Sequence, residues 1–212
     1  MFSWFLSFDE RIMIDSIYRK ESDSMEASRE AYLERITLKK LQPSHQPIRL
    51  CEYDSSWPTT YKKEEARIKI QLNHEICLIE HVGSTSIPGL CAKPILDILL
   101  LVKDSSKEAQ YVDALASIGY ELIMREEEWY AHRLLRKSEP AVNLHVFSDG
   151  CEEAKRMLAF RDWLRVHEGD LRLYGDTKRE LSQKKWKYVQ EYADAKSEVV
   201  ATIISHINEH KS

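Results

Sequence analysis

A loop between two apolar runs carries residue types suited to binding phosphate. Three small hydroxyl residues follow Gly83: Ser84, Thr85 and Ser86. Lys93 adds a cation, and Asp97 then stands alone in an otherwise apolar run. Backbone N–H groups and hydroxyls hold phosphate oxygens, and a carboxylate can hold Mg²⁺ between them. We therefore expect phosphate at the loop, with Lys93 neutralising it, and a metal ion at Asp97.

Charged side chains elsewhere could complete such a site. His145 has apolar neighbours, so it is either a core histidine or, beside Asp97, a metal ligand or an acid/base group. Arg133 either pairs with Asp97 or directs its guanidinium at phosphate. Three cations on predicted helices either face solvent or form a cationic wall along the cleft: Arg161, Lys178 and Lys196. The three glutamates at residues 126–128 predict a solvated turn.

Apolar periodicity and turn residues predict the elements that position these groups. Five strands are predicted, over residues 48–53, 76–82, 95–102, 120–124 and 141–147, and residues 131–135 are a candidate for a sixth. Five helices are predicted, over residues 57–72, 109–118, 152–167, 171–182 and 185–210. This order indicates an α/β or α+β fold, a mixed sheet flanked by helices with a helical C-terminal tail.

The first 47 residues differ in pattern from the rest of the chain. Apolar residues recur at helical spacing over residues 30–41, and Pro43 and Pro47 then break the pattern. We interpret residues 1–47 as a helical extension that packs on the core or on a second subunit. Residues 48–212 form one domain, and a homo-oligomer built through the extension is the corresponding hypothesis.

Composition limits the class of protein. The formal charge of −4 gives no bulk electrostatic case for binding nucleic acid or a membrane. The four cysteines show no metal-ligand spacing, and no apolar run approaches the length needed to span a bilayer. These features predict a cytoplasmic protein with reduced thiols, while targeting to an organelle stays open.

Several segments resemble one family. Residues 81–90 read His-Val-Gly-Ser-Thr-Ser-Ile-Pro-Gly-Leu, residues 92–94 read Ala-Lys-Pro, and Asp-Ile follows at 97–98. These segments closely resemble the signature of the GrpB family, a nucleotidyltransferase-like group sometimes fused to dephospho-CoA kinase. Residues 143–146, Asn-Leu-His-Val, and 160–165, Phe-Arg-Asp-Trp-Leu-Arg, are similar to a later strand and helix of that family. The resemblance runs from about residue 48 to the C-terminus.

The resemblance implies a nucleotidyltransferase-type fold, a mixed sheet flanked by helices, but no settled reaction. Our leading hypothesis is that the chain binds a nucleoside triphosphate with Mg²⁺ and transfers a nucleotidyl or phosphoryl group to an acceptor that the sequence does not identify, with Asp97, His145 and Lys93 as the catalytic residues. The chain departs from active nucleotidyltransferases, because Leu99 occupies the position of the second acid and His145 lies where the third is usual. Two readings follow: one Mg²⁺ held by Asp97 with His145 as ligand or base, or anion binding without transfer.

Two alternative functions remain from the sequence. Some fungal GrpB-like proteins are associated with cyclodipeptide formation from aminoacyl-tRNA, but the Asp-Asp-x-x-Glu motif of that branch is absent from this sequence, so tRNA is not favoured. The other alternative is a catalytically degenerate protein that binds a nucleotide, another small anion or a protein partner. Leu99 favours it.

Overall fold

The computed structural model describes residue 32 and residues 34–38, 48–186 and 189–210. The strands of its sheet are β1 Ile76–Val82, β2 Leu96–Val102, β3 Glu121–Glu126, β4 His132–Lys137 and β5 Val142–Ser148. The α-helices from residue 57 onward are α1 Trp57–Leu72, α2 Val112–Ala116, α3 Glu152–Val166, α4 Glu168–Ser182, α5 Val189–Asp194 and α6 Ser197–His210. Within these described ranges, no helix combines the length and apolarity needed to cross a membrane.

The five strands form one mixed sheet in the order β1-β2-β5-β4-β3. The β2–β5 pair is parallel and the other three pairs are antiparallel. Strand β2 is buried along its whole length, which explains its nearly continuous apolar sequence. Its register places Asp97 opposite Val82 on one side and Asn143 on the other. The mixed sheet with flanking helices confirms the predicted fold class.

Helices cover both faces of the sheet. Ile68 and Leu72 of α1 pack with Ile98 and Leu100 on one face. On the opposite face, residues of β1, β2 and β5 pack against α3 in a second apolar cluster: Val82, Leu99, Leu101, Phe147, Ala154 and Met157. Because side chains alternate along a strand, Asp97 shares this second face with Leu99.

The C-terminal helices pack on the loop between β1 and β2. Ile87 and Leu90 of the loop lie in one apolar cluster with residues of α3, α4 and α6: Phe160, Leu164, Tyr174, Val199, Val200, Ile203 and Ile207. Burial of two loop side chains among three helices fixes the loop against the helical layer. Lys178 of α4 thereby contacts the loop at Ser84 Oγ and at the Cys91 carbonyl.

Three of the elements predicted from residue 48 onward differ from the structure. Residues 48–53 form no strand and make a single bridge, Cys51 with Ala92. The helix predicted over 109–118 is a 3-10 turn at Glu108–Gln110 followed by the short α2. The tail predicted as one helix over 185–210 divides into α5 and α6, because the Lys196 N–H bonds to the carbonyl of Ala193, three residues back, and tightens the chain.

The described part of the N-terminal segment lies along β3. Tyr32 and residues 34–36 are helical, and Ile36 packs with Ile123 and Met124. Thr37 then pairs with Met124, and the Leu38 N–H donates to the Ile123 carbonyl over 3.0 Å. The helix predicted over 30–41 is therefore wrong at residues 37 and 38, which extend the sheet edge. The rest of the predicted extension, residues 1–31, 33 and 39–47, lies outside the described residues.

Candidate functional site

A small cleft, partly open to solvent, lies where the β1–β2 loop meets the C-terminal helices. Among the described residues, ten line it: Leu50, Ser84, Thr85, Ala92, Lys93, Ile95, Asp97, Lys178, Tyr192 and Lys196. We name it the lysine cleft. It brings together the hydroxyls of the loop, the carboxylate of β2 and cations from the loop and the helical layer.

Gly83 allows the loop to pass directly over the carboxylate of Asp97. Its φ of +67° lies in the left-handed region, which favours glycine. A Cβ at this position would lie 2.8 Å from Asp97 Cβ and closer still to its Oδ2. Asp97 is 1% exposed, and its Oδ1 accepts a hydrogen bond of 2.9 Å from Asn143 Nδ2. The carboxylate is thus held between a glycine of the loop and an amide of β5.

Three lysines converge on the lysine cleft. Lys178 of α4 is 3% exposed, and its Nζ donates to Ser84 Oγ over 2.7 Å and to the Cys91 carbonyl. Lys196, in the turn between α5 and α6, is 5% exposed, and its Nζ lies 5.2 Å from the centre of the Tyr192 ring. Lys93 Nζ lies 5.9 Å from the same ring centre. Three ammonium groups around one cleft make its lining positively charged, which favours an anionic ligand.

The pKa of Lys93 reflects both its burial and the charges around it. Burial lowers the pKa of Lys93 to about 7, and repulsion from Lys196, Arg136 and Lys178 acts in the same direction. Asp97 acts in the opposite direction and raises it. The net effect is an ammonium destabilised mainly by burial and further by the neighbouring cations, which an incoming anion would stabilise.

The hydroxyls of the loop have different roles. Ser84 and Thr85 line the lysine cleft. Thr85 Oγ1 also lies 3.0 Å from Nε2 of His81, a ring that stacks on Tyr61. Ser86 Oγ donates to the Gly83 carbonyl over 2.6 Å and so stabilises the turn. Of the three loop hydroxyls predicted to bind phosphate, the structure brings those of Ser84 and Thr85 to the cleft, whereas Ser86 stabilises the turn.

The two predicted arginines lie elsewhere. Arg133 projects to the opposite face of the sheet, because it pairs with Val146 and alternates with the face of His145. There its guanidinium binds the carboxylates of Glu108 and Glu127. Arg161 Nη1 donates to Glu80 Oε2 over 2.8 Å and to the His81 carbonyl over 2.9 Å. Both are buried ion-pairing residues, so the geometry does not support their predicted contact with phosphate.

His145 lies beside Asp97, as expected if the strands that carry these two residues are neighbours. Its Nε2 is 3.6 Å from Asp97 Oδ1, and its Nδ1 is 3.2 Å from Nε2 of His132. His132 Nδ1 is in turn 2.8 Å from Glu126 Oε2. Sequence reasoning missed His132, and it placed Glu126 in a solvated turn although this residue is 5% exposed. The predicted solvated turn is wrong at Glu126, because this residue ends β3 and accepts a hydrogen bond from the Tyr32 hydroxyl.

The donor set around Asp97 limits what metal it could hold. Within the described ranges, no group of three or more His, Cys, Asp or Glu residues is placed to hold a metal ion. Leu99 is fully buried among apolar side chains, so the position of a second acid contributes no ligand. A two-metal site does not fit these residues. One Mg²⁺ that takes most of its ligands from phosphate and water does fit a single carboxylate.

Comparison with known proteins identifies the family. The family model described as GrpB protein matches residues 47–206. The chain belongs to the GrpB family. It is 46% identical over 189 residues to a UPF0157 protein of Halalkalibacterium halodurans, which covers 89% of this chain and 97% of that protein. It is 42% identical over 163 residues to a UPF0157 protein of Streptomyces coelicolor, covering 77% of this chain and 86% of that one.

A solved structure agrees with this assignment. The crystal structure of the conserved protein GrpB from Enterococcus faecalis matches 77% of this chain and all of its own chain, with a TM-score of 0.68 and 29% identity. The GrpB-family resemblance predicted from the loop is therefore confirmed. The lysine cleft of this GrpB-family chain lies within the matched residues 47–206.

Proposed function

We propose that this GrpB-family chain binds a nucleoside triphosphate with Mg²⁺ in the lysine cleft and transfers a nucleotidyl or phosphoryl group from it. The observation that carries the proposal is the convergence of Lys93, Lys178 and Lys196 on a cleft that also contains Ser84 and Asp97. Cations grouped around small hydroxyls and one carboxylate are suited to a ligand with several phosphates.

The charge balance of the cleft favours a polyanion. Its charged side chains are three lysines and one aspartate, which sum to two positive charges when all are ionised. Each lysine ammonium is a compact point charge with three donors, suited to separate phosphate oxygens. A single carboxylate ligand would satisfy one of these cations, whereas a polyphosphate could contact all three.

Asp97 supports a role for Mg²⁺ carried by the nucleotide. Mg²⁺ usually binds proteins through one or two carboxylates together with substrate phosphates, and it neutralises charge on those phosphates. Asn143 orients the Asp97 carboxylate through its hydrogen bond to Oδ1. Lys178 is oriented by Ser84 and the Cys91 carbonyl, so its ammonium is placed before a phosphate arrives.

Calorimetric titration with ATP, with and without Mg²⁺, tests the proposal. We expect the wild-type chain to bind ATP more tightly with Mg²⁺, and we expect Asp97→Asn to lose that dependence. Asp176→Asn is the matched control, because the Asp176 side chain is 77% exposed on α4. Absence of binding by the folded wild-type chain to any nucleoside triphosphate would overturn the proposal. An unchanged Mg²⁺ dependence in Asp97→Asn would overturn the role of Asp97.

A second candidate function is binding without transfer. The buried Leu99 favours it, because Asp97 is the one carboxylate among the described residues that line the cleft. Incubation with ATP, Mg²⁺ and a cell-derived metabolite mixture, followed by mass spectrometry, separates the two functions. Pyrophosphate would indicate nucleotidyl transfer, and ADP would indicate phosphoryl transfer. In either case the product should be absent when Asp97→Asn replaces the wild-type chain. Tight binding with neither product would support the binding function.

A further inference from the structure

Four buried side chains form a continuous chain from the β3 edge to the lysine cleft. They are Glu126, His132, His145 and Asp97, and each is at most 5% exposed. The contacts are 2.8 Å from Glu126 Oε2 to His132 Nδ1, 3.2 Å from His132 Nε2 to His145 Nδ1, and 3.6 Å from His145 Nε2 to Asp97 Oδ1. We name it the Glu126–Asp97 chain.

The positions of the protons follow from the acceptor at its outer end. Tyr32 Oη donates to Glu126 Oε1 over 2.9 Å, which marks this carboxylate as an acceptor. An ionised carboxylate only accepts, so His132 Nδ1 must donate to it. A neutral His132 then has an unprotonated Nε2, and the hydrogen bond to His145 requires Nδ1 of His145 to be the donor.

The inner end of the chain agrees with this assignment. With its proton on Nδ1, a neutral His145 keeps a lone pair on Nε2, facing the carboxylate oxygen of Asp97. Two acceptors do not attract each other, and the 3.6 Å between these atoms is longer than a hydrogen bond, unlike the other two contacts. The Nε2 lone pair and Asp97 Oδ1 therefore lie side by side, and Asp97 lines the lysine cleft.

The rings are also fixed in orientation. His132 stacks on Phe147 with ring centres 4.5 Å apart, and Trp129 packs edge-on against His132 at 5.2 Å. His145 is stacked near His132 at 5.4 Å. These contacts restrict rotation of both imidazoles, so the hydrogen bonds decide the tautomer and the packing decides the direction of each nitrogen.

We propose that Glu126 and His132 are positioning residues that hold His145 in the Nδ1–H tautomer and so present its Nε2 lone pair beside Asp97. Partners behind a reacting or metal-binding histidine commonly fix its tautomer in this way. The role of that lone pair, as a proton acceptor or as a ligand of a metal ion carried by the nucleotide, rests on the proposed function. The tautomer of His145 does not depend on the proposed function.

Nitrogen NMR of the wild-type chain tests the tautomer directly. The protein is labelled with ¹⁵N at histidine and measured at neutral pH without nucleotide or metal, and His145→Gln assigns the His145 resonances. We expect long-range ¹H–¹⁵N correlations typical of an Nδ1–H ring with an unprotonated Nε2. A proton on Nε2 of His145, on that nitrogen alone or on both, would overturn the proposal.

Two leucine variants test the role of Glu126. In Glu126→Leu the acceptor for His132 Nδ1 is lost, so we expect the His145 signals to shift from one tautomer to a mixture. Glu128→Leu is the matched control, because Glu128 is 73% exposed and binds Arg35. An unchanged His145 tautomer in a folded Glu126→Leu chain would overturn the positioning role, and the wild-type spectrum remains decisive if that variant does not fold. Because nucleotide is absent, failure of nucleotide binding would leave these results unaffected.

Discussion

The loop backbone at Gly83 lies against the carboxylate of Asp97 so closely that a Cβ there would fall 2.8 Å from Asp97 Cβ. We therefore expect Gly83→Ala to lose both stability and nucleotide binding. Gly89→Ala is the control, since Gly89 also has a positive φ, +81°, but a Cβ there meets nothing within 4 Å. Alanine at a positive φ strains the backbone by about 1–2 kcal/mol in both variants. Gly83→Ala also places its Cβ against the Asp97 side chain, so it should lower the free energy of unfolding further. Equal free energies of unfolding in urea titrations would contradict this relationship.

The pKa of Lys93 predicts how nucleotide affinity depends on pH. In the free protein the pKa is lowered to about 7, and a bound phosphate raises it again. Below pH 7 Lys93 is already an ammonium, whereas above pH 7 binding must take up a proton. Affinity for ATP with Mg²⁺ should therefore fall as pH rises above 7, by at most about tenfold per unit.

The variant Lys93→Gln supplies the control for this pH dependence. Calorimetry at pH 6.5 and 8.5 should show a smaller decline in the variant than in the wild-type chain, because the titrating group is gone. The same decline in both chains would assign the pH dependence to another group.

His81 predicts loss of stability in acid. Burial, aided by Arg165 and Arg161, lowers its pKa to about 3, against 6.5 for an exposed imidazole. Between pH 6.5 and 3 the unfolded chain binds a proton that the folded chain does not, so stability falls as pH falls through this window. Between pH 6.5 and 5 this contributes about 2 kcal/mol. His81→Gln should show a smaller loss in urea titrations, and identical losses would contradict the assignment.

Local sequence patterns were sufficient for the centre of the fold. The apolar run ending at Val102 predicts β2, and Gly83 with the small hydroxyl residues after it predicts the loop that precedes this strand. Pairing of β2 with β5 then placed His145 beside Asp97, as the order of strands suggested. These features depend on residues close in sequence or on adjacent strands, where periodicity is informative.

Features that depend on distant contacts were not predictable in the same way. Arg133 lies on the opposite face of the sheet from His145. Assigning a residue to a face requires the strand register, which composition does not give. The run of three glutamates looked solvent-exposed, yet Tyr32, 94 residues earlier in the chain, binds Glu126. The turn that brings Lys196 to the cleft interrupts a sequence with continuous helical periodicity, since tertiary packing overrides local propensity.

The lysine cleft is the central claim, and titration of ATP with Mg²⁺ into Lys178→Met/Lys196→Met tests it most directly. A matched double variant removes two lysines on exposed helix faces, Lys69→Met/Lys155→Met, whose side chains are 54% and 63% exposed. Each charged hydrogen bond to phosphate contributes about 1.5–3 kcal/mol, so we expect the cleft variant to bind at least about 100-fold more weakly than the wild-type chain. The surface variant should bind as the wild-type chain does. Equal affinity of the wild-type chain and the folded cleft variant would contradict the account.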